Sequence, residues 1–392
     1  MKNDGLSPVD RRALGSVATQ FFVNGLLFAS FIPRLPEIRD RIDIGNDTLG
    51  RLLAIGALSG VLGSFAVGRA VEFFGTRRLL IVAGVLLCAS LSLVGIATVP
   101  LVLVLGLSLL SIFDVLVDTS MNMQGSWISG RRSTPVMNRL HGLWSLGTVI
   151  GGIGASQVAN LGVSLRAHLF AVAAVMIVVV LVVGSGLLRV DESASEEPAS
   201  VGGTVAGRVK RPVARRALAM FAVVGACSIA IEMTSSDWAA IRLSDDFAAA
   251  PGIAGLGFVA FTIGMTVGRF GGDSVAVRLG NRRMAGMAIG LTIIGLALAS
   301  FGPNRWIAML GYLLTGLGTS TQFPKLYDDA AKHRGRPGAG LAALTGGSRV
   351  AMLAMPVAVG ALAASSLSVG AATAIVTLPA ALAFAAFVRR SR

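Results

Sequence analysis

The sequence predicts an all-α membrane protein in which twelve transmembrane helices form two pseudo-symmetric six-helix bundles. Of its 392 residues, 54% are hydrophobic and only 14% are charged, and the mean hydropathy is +0.75. This composition is too apolar for an ordinary soluble domain. Apolar segments of about 20 residues, the length that crosses a bilayer, recur from end to end. A short polar signature also occurs twice, about half the chain apart, which indicates an internal duplication.

The predicted spans follow one another with short connections, apart from one long connection after the sixth. They lie at residues 13–33, 48–68, 79–98, 100–128, 140–160, 165–188, 216–241, 252–272, 284–301, 306–330, 340–363 and 366–388. The long connection is rich in Glu, Ser, Gly and Val and then becomes basic, which is typical of a flexible linker. The predicted domains are an N-terminal six-helix bundle at 1–188, a cytoplasmic linker at 189–215 and a C-terminal six-helix bundle at 216–392.

Basic residues divide the connections into two classes. An even number of spans puts both termini on one side, and the arginines of that side are Arg11, Arg12, Arg77, Arg78, Arg131, Arg132, Arg215, Arg216, Arg282, Arg283, Arg334, Arg336, Arg389 and Arg390. The opposite side carries Arg34, Arg39, Arg41, Arg51, Arg166, Arg242 and Arg305. The positive-inside rule therefore places both termini in the cytoplasm. Because the net charge of +14 follows this topology, we expect a lipid bilayer and no nucleic acid as a partner.

The repeated signature combines glycines with an arginine pair. Its copies are Gly68-Arg69, Gly75, Arg77 and Arg78 in the first half, and Gly268-Arg269, Gly280, Arg282 and Arg283 in the second. Glycines allow a tight turn and close helix packing, and the arginines can meet a carboxylate or the carbonyl end of a neighbouring helix. Such a contact could hold one conformation closed. The alternative is that the arginines only determine topology.

A twelve-span chain with a Gly-x-x-x-[Asp/Glu]-x-x-Gly-x-Arg-Arg loop after its second span resembles the major facilitator superfamily. Here the acidic position of the first loop is Glu72, where Asp is usual in the family. In the second copy the acid is Asp273, five residues after Gly268. The resemblance implies a transporter in which the two loops form a cytoplasmic gate. The acidic–basic contact is expected more firmly in the first half than in the second.

Two carboxylates lie within the fourth span. Asp114, Asp118 and Asn122 are spaced at i, i+4 and i+8, so they line one face of a helix. Each acid near the bilayer centre costs about 2.5–3.5 kcal/mol on insertion scales, so this face is expected to line a cavity. A carboxyl group beside a like charge and away from water can exchange a proton near neutral pH. Asp114 or Asp118 is therefore a candidate proton or cation site; the alternative is a structural pair with an arginine.

The two halves also match at intramembrane polar positions. A shift of 208 places Asn24 on Glu232, and a shift of 200 places Asn122 on Gln322. Glu232 is the third proton-coupling candidate, and Arg349 is expected to meet either a carboxylate or an anionic substrate. The resemblance implies that the first, fourth, seventh and tenth spans line a central cavity, with the fifth and eleventh beside them. The substrate-cavity candidates are then Gln20, Asn24, Asn122, Trp144, Thr315, Thr319, Gln322, Lys325 and Arg349.

Two shorter motifs favour one branch of the family. Arg34-Leu35-Pro36-Glu37-Ile38 and Met137-Asn138-Arg139-Leu140-His141-Gly142 resemble a fucose-permease-like branch of bacterial permeases. The resemblance favours uptake of a small polar, sugar-like solute across the cytoplasmic membrane, and the acidic face of the fourth span predicts that this uptake is proton-coupled. One alternative is a proton-coupled exporter of drug-like compounds or metabolites. Another is a non-transporting membrane receptor or scaffold.

The sequence carries no motif for ATP hydrolysis or covalent catalysis. Its two cysteines, Cys88 and Cys227, lie in apolar runs and have no metal-ligand neighbour. We therefore expect no cofactor, no metal site and no enzymatic reaction. The expected partners are lipid, protons or another cation, and a small-molecule substrate, and the expected oligomeric state is a monomer.

Overall fold

The computed structural model describes residues 7–131, 136–189, 215–322, 326–327, 330 and 338–390, with residues 273, 274, 276, 281, 389 and 390 described by their backbone alone. Every regular element in these residues is helical. The first half contains α1 (Pro8–Phe31), a 3₁₀ turn (Ile32–Arg34), α2 (Leu35–Arg41), α3 (Asn46–Gly63), α4 (Val67–Ile96), α5 (Pro100–Gly130), α6 (Met137–Asn160) and α7 (Leu165–Gly184). The second contains α8 (Arg215–Asp237), α9 (Ala239–Phe247), α10 (Pro251–Leu279), α11 (Asn281–Phe301), α12 (Arg305–Thr319), α13 (Ala339–Ala363) and α14 (Val369–Arg390).

The prediction of an all-α membrane protein is confirmed, since each of the twelve predicted spans overlaps a helix. Within the described residues, nine helices are long and apolar enough to cross a membrane by length and composition alone. The other three that overlap predicted spans are α3, α6 and α12. The first two are rich in glycine and polar residues, and the described part of α12 has only 15 residues.

Two short helices, α2 and α9, were not predicted, and the seventh span is shorter than predicted. α8 ends at Asp237 rather than at residue 241, and α9 then begins after Trp238. Pro36 lies in the first turn of α2 and favours the start of the helix, because a backbone N–H at this position would have no partner within the helix. α9 buries Ala239, Ala240, Ile241 and Leu243, together with Arg242. Each short helix follows the first long helix of its half, so the duplication extends beyond the spans.

The repeated signature forms the same backbone turn in both halves. Gly75 has φ 69° and ψ 154°, and Gly280 has φ 79° and ψ 150°. Because an L side chain rarely adopts this conformation, both positions require glycine. The turn at Gly75 interrupts α4. The second predicted span therefore covers α3, the short turn at residues 64–66 and the start of α4. The third span begins after the glycine.

Close packing of α1 and α6 depends on glycine. A Cβ atom on Gly25 would collide with the carbonyl of Trp144, and one on Gly147 would collide with the carbonyl of Phe22. Removing the side chains lets two backbones approach closely, as in many membrane helix pairs. The contact holds Trp144 of α6 against α1, where it meets Asn24. The glycine-rich fifth span therefore positions a polar group within the bundle.

Apolar side chains also form the outer surface of the helices. On α7 the exposed fractions of Val178, Leu181 and Val182 are 59%, 53% and 66%. In a chain with this composition, such a surface contacts lipid hydrocarbon.

α7 also carries a helix cap, because Ser164 accepts a hydrogen bond from the backbone N–H of Ala167 at 3.2 Å.

The chain separates into two compact units. The described residues of the first lie within Met1–Phe31, Ile55–Gly151 and Ser164–Gly207, and those of the second lie within Ile32–Ala54, Gly152–Val163 and Arg208–Arg392. The second unit therefore contains two segments from the first half of the sequence. The first segment follows the end of α1 and includes α2 and the start of α3, and the second includes the end of α6. The predicted domain boundaries follow the sequence duplication instead, and they remain a prediction.

Candidate functional site

A chain of hydrogen bonds connects three helices in the first unit. The indole Nε1–H of Trp144 donates to the amide oxygen of Asn24 at 2.8 Å, and the amide nitrogen of Asn24 donates to a carboxylate oxygen of Asp114 at 2.7 Å. Asn24 is 3% exposed, so its amide is withdrawn from solvent and both of its polar atoms have partners. The structure thus brings together three of the predicted site residues, one each from α1, α5 and α6.

Asp118 lies one turn after Asp114 and is more exposed. Its residue surface is exposed, whereas that of Asp114 is only partly exposed. The side-chain amide of Asn122 donates to the Asp118 carboxylate at 2.9 Å and to its backbone carbonyl at 2.8 Å. The predicted polar face of the fourth span therefore exists. On this face, Asp114 accepts a hydrogen bond from a residue of α1, whereas the described hydrogen-bond donor of Asp118 belongs to the same helix, α5.

Gln20 lies apart from this network. It is 2% exposed, and its amide nitrogen lies 3.3 Å from the position of a Cβ atom on Gly84 of α4. Although Gln20 and Asn24 are one turn apart on α1, they face different neighbours. The structure places only Asn24 beside the acids.

In the second unit the intramembrane acid Glu232 of α8 pairs with Arg269 of α10. Their charged atoms are 3.7 Å apart, and the side chains are 27% and 26% exposed. Arg269 belongs to the second copy of the signature, directly after Gly268. Asp237, at the end of α8, accepts a hydrogen bond from the Ser236 hydroxyl at 2.8 Å. The charge of Glu232 thus already has a counter-charge within the chain.

The polar residues of the tenth span pack against the neighbouring α11. Thr315 is fully buried and donates to the carbonyl of Gly311 at 2.9 Å, and Thr319 donates to the carbonyl of Thr315 at 2.9 Å. The side-chain amide of Gln322 donates to the hydroxyl of Thr292 on α11 at 2.9 Å. Lys325 lies outside the described residues. Their role as substrate-cavity residues remains a prediction.

Arg349 is exposed near the middle of α13. Among the residues that the structure describes, no carboxylate lies within ion-pair distance of it. The first of the two contacts expected for Arg349, an ion pair with a carboxylate, is thus not observed among the described residues. Contact with an anionic group of a substrate remains a prediction.

The predicted cytoplasmic gate has different contacts in its two copies. Arg77 donates to the carbonyls of Gly184 and Ser185 at the end of α7, each at 3.2 Å. This is one of the two contacts expected from the sequence, namely that of an arginine with the carbonyl groups at the end of a neighbouring helix. Arg78 and Glu72 are exposed, and within the described residues neither forms an ion pair.

In the second copy, Gly268 packs tightly against α12 and its continuation. A Cβ atom on Gly268 would lie 2.7 Å from the Cβ of Ser320, whereas one on Gly68 would have no neighbour within 4 Å. Arg282 and Arg283 are exposed, and the side chain of Asp273 lies outside the described residues. The two copies therefore share a turn and differ in their side-chain contacts, and the gate remains a prediction.

Sequence reasoning missed an ion pair that joins α2 to α9 within the second unit. The guanidinium of Arg39 donates to both carboxylate oxygens of Asp245, at 2.6 and 2.9 Å. The side chain of Asn46 bridges the two, since its oxygen accepts from Arg39 at 2.7 Å and its nitrogen donates to Asp245 at 3.0 Å. We call Arg39–Asp245 the outer ion pair because it lies on the side opposite the termini. Its arginine was visible in sequence only as a topology residue.

A second missed contact surrounds Arg242, the counterpart of Arg34 under the shift of 208. Arg242 pairs with Asp246 and donates to the carbonyls of Ala299 and Ser300 at the end of α11. Asp246 in turn accepts from the backbone N–H of Gly370 at 2.9 Å, at the start of α14. The partial positive charge of a helix N-terminus stabilises a carboxylate, and the partial negative charge of a helix C-terminus stabilises a guanidinium. The matched Arg34 and Arg242 were the sequence signal for this arrangement.

The family follows from comparison with known proteins. Residues 17–239, which are more than half of the chain, match the family model of the Major Facilitator Superfamily. The chain belongs to the Major Facilitator Superfamily. This superfamily member is 28% identical over 358 residues to an uncharacterised MFS-type transporter of Yersinia pestis, covering 90% of each chain. It is 25% identical to the membrane protein MosC of Rhizobium meliloti, covering 83% of this chain and 77% of MosC.

Solved structures agree with the superfamily fold. The nucleoside transporter NupG superposes with a TM-score of 0.74 at 12% identity, covering 98% of each chain. The transporter FucP in its outward conformation superposes with a TM-score of 0.62 at 12% identity, covering 97% of this chain and 98% of FucP. The likeness to FucP is compatible with the fucose-permease-like branch. The chain is thus a multi-pass membrane protein, a secondary transporter rather than an enzyme, with the lipid bilayer and a small-molecule substrate as partners.

Proposed function

We propose that this transporter moves a small polar, sugar-like solute across the cytoplasmic membrane by proton-coupled alternating access. The observation that carries the proposal is the hydrogen-bonded chain of Trp144, the buried Asn24 and the partly exposed Asp114, with the exposed Asp118 one turn away. Acids within a span are rare and mark ion pathways, because each costs about 2.5–3.5 kcal/mol on insertion scales. Binding a proton removes that charge.

The partners of the two acids are suited to proton exchange. Among the described residues, no arginine or lysine lies within ion-pair distance of Asp114 or Asp118. Their hydrogen-bond donors are the neutral amides of Asn24 and Asn122. A carboxyl group can accept from an amide in either protonation state, since the protonated form keeps a carbonyl oxygen. Neither state of Asp114 is therefore left without a partner, and no fixed cation opposes protonation.

The same groups support a polar solute. Amides, an indole N–H and carboxylates are the kind of orienting polar groups that a ligand pocket places among apolar side chains. The structural neighbours include a protein described as a nucleoside transporter, and nucleosides carry a sugar. Uptake rather than export follows from the resemblance to the fucose-permease-like branch. Export of a drug-like compound is the runner-up and would be recognised by the direction of the pH-driven flux.

Alternating access requires a contact on each side that breaks during the cycle. On the side opposite the termini, the outer ion pair is the strongest candidate, because it joins a helix of the first half of the sequence to one of the second. On the other side, the two signature loops are proposed to form the cytoplasmic gate. This assignment assumes that both termini are cytoplasmic, which reporter fusions to each terminus would test.

The first experiment identifies the solute and then tests coupling. A thermal-stability screen of sugars, nucleosides, organic acids and drug-like compounds selects ligands, because a ligand that binds the folded state raises its melting temperature. Selected ligands are then followed in proteoliposomes with an imposed pH gradient. Wild type is compared with Asp114→Asn and Asp118→Asn, and Asp47→Asn is the control because Asp47 lies in an exposed pair with Arg51 within α3.

The outcomes separate the hypotheses. Proton coupling predicts gradient-driven accumulation in wild type and in Asp47→Asn, and loss of accumulation with retained downhill flux in Asp114→Asn or Asp118→Asn. Unchanged accumulation in both acid variants would refute the coupling site. Binding without flux in any condition would favour the receptor or scaffold. Single-particle mass measurement in nanodiscs tests the proposed monomer.

A further inference from the structure

Two hydroxyl groups of α8 are buried without a hydrogen-bond partner. Thr234 and Ser235 are 2% and 3% exposed, and neither hydroxyl oxygen has a protein partner in the described residues. Serine and threonine within helices usually donate to a carbonyl three or four residues earlier. Thr373 and Thr377 of α14, which lie opposite, do so at 2.9 and 2.8 Å. The two α8 hydroxyls are exceptions, and a buried polar group without a partner is strongly unfavourable.

Both hydroxyls line a small cavity inside the second unit. Its walls come from α8, α11, α12 and α14, and its volume is about 10 Å³. Six of the eight lining residues carry a hydroxyl group. The lining residues are Thr234, Ser235, Leu296, Ala299, Ser300, Tyr312, Thr373 and Thr377. A polar cavity of about 10–15 Å³ is the minimum that holds one water molecule.

We propose that one ordered water molecule occupies this cavity and bridges Thr234 and Ser235 to the hydroxyls of α14. Water suits the site because it can both donate and accept. The oxygens of Thr373 and Thr377 can still accept, since their own protons are already donated to backbone carbonyls. The water thereby supplies the partners that α8 lacks, as buried waters commonly do.

A metal cation fits the cavity poorly. No carboxylate lines it, and the guanidinium of Arg242 donates to the backbone carbonyls of two wall residues, Ala299 and Ser300. A cation would therefore meet a nearby positive charge with no formal negative charge in the wall. A neutral ligand that needs several hydrogen-bond partners is favoured.

The first half of the chain has no equivalent. The shift of 208 that aligns Asn24 with Glu232 places Leu26 and Leu27 on Thr234 and Ser235. Leu27 is 1% exposed, so an apolar side chain fills the corresponding place in the first unit. The hydroxyl pair is therefore a property of the second half alone. The water joins α8, which carries Glu232, to α14 through hydrogen bonds rather than through apolar packing.

The two tyrosines of the chain offer a matched test. Tyr312 lines the cavity and is 3% exposed, whereas Tyr327 is 46% exposed. In X-ray radiolytic labelling, a bound water generates hydroxyl radical beside its neighbours, so a buried residue at a water site is modified despite its burial. We expect Tyr312 to be labelled in wild type and several-fold more slowly in Thr234→Val/Ser235→Ala, with Tyr327 labelled equally in both.

A high-resolution map of the full-length protein gives the direct result. Density for one atom within hydrogen-bond distance of Thr234 and Ser235 supports the proposal, and it should vanish in the double variant. The proposal is overturned if the cavity is empty in wild type, with both hydroxyls bonded to carbonyls of α8. It is equally overturned by an anomalous signal at the site in rubidium or bromide salt, which would assign an ion. These results do not depend on whether proton-coupled transport is correct.

Discussion

The outer ion pair leads to the most specific prediction about the transport cycle. Arg39 donates to both oxygens of Asp245, and the two side chains are 11% and 22% exposed. Hydrogen bonds to charged groups contribute about 1.5–3 kcal/mol each, whereas fully exposed ion pairs contribute about 0.2–1 kcal/mol. Two such bonds give about 3–6 kcal/mol without screening. A partly exposed bidentate pair lies between this value and that of an exposed pair, at about 1.5–3 kcal/mol after allowance for solvent screening.

If this contact exists in only one of two transport states, its removal shifts the equilibrium between them by the same free energy. A change of 1.5–3 kcal/mol corresponds to a shift of about 10- to 150-fold. Arg39→Gln or Asp245→Asn should therefore populate the state that is open on the side opposite the termini. The charge swap Arg39→Asp/Asp245→Arg should restore part of the closed state, since Asn46 can rotate its amide to exchange donor and acceptor.

The assay is a distance measurement between spin labels on that side. Labels at Leu161→Cys and Leu367→Cys sit on exposed positions after α6 and before α14, in a background with Cys88 and Cys227 replaced. Pulsed electron–electron resonance in nanodiscs reports the distribution of distances. The single variants are expected to gain a longer-distance population at the expense of the shorter one.

The control is the ion pair Asp47–Arg51. It lies four residues apart on α3, so it joins no two helices, and its side chains are 37% and 57% exposed. Asp47→Asn should leave the distance distribution unchanged. The reasoning is refuted if Asp245→Asn behaves like this control, or if the charge swap is no closer to wild type than either single variant.

Three further predictions concern coupling and the backbone. Asp114→Asn should reduce pH-driven accumulation at least tenfold, measured as the steady-state solute ratio in proteoliposomes, while downhill exchange persists. Gly75→Ala and Gly280→Ala should each lower stability by about 1–3 kcal/mol, because both glycines hold a conformation that alanine rarely adopts, whereas Gly68→Ala should change the melting temperature little. Gly147→Val should separate α1 from α6, and loss of the change in tryptophan fluorescence on ligand binding would report it.

Local signals were sufficient for the helices and for the duplication. Hydrophobic length identified every span, and the spacing of Gly75 and Gly280 identified a turn that recurs with nearly the same dihedral angles. The helix boundaries were less accurate where a long apolar run contains a bend. The seventh span continues in sequence to residue 241, yet α8 ends at Asp237, and Trp238, which is 1% exposed, precedes the separate helix α9.

The site was only partly predictable because a helical period gives the face of one helix and not its neighbour. The spacing of Asp114 and Asp118 predicted a shared face, but not that Asn24, itself bonded to Trp144, would bind one acid and leave the other exposed. The same limit applies to Thr315, whose stripe on α12 is real but packs beside α11. Contacts between elements far apart in sequence, such as the outer ion pair, leave no periodic signal at all.

The asymmetry between the two halves bears on where the proton binds. The duplication places Asn24 and Glu232 at equivalent positions, so each half has one polar group there. In the second half, Arg269 of the repeated signature lies 3.7 Å from Glu232 and offsets part of its charge. In the first half, the described partners of Asp114 and Asp118 are neutral amides, so a proton is the simplest compensation for their charge. The signature therefore does more than mark topology, because in the second half it supplies a counter-charge. This difference between the halves supports the proposal that the acids of α5, rather than Glu232, exchange the proton.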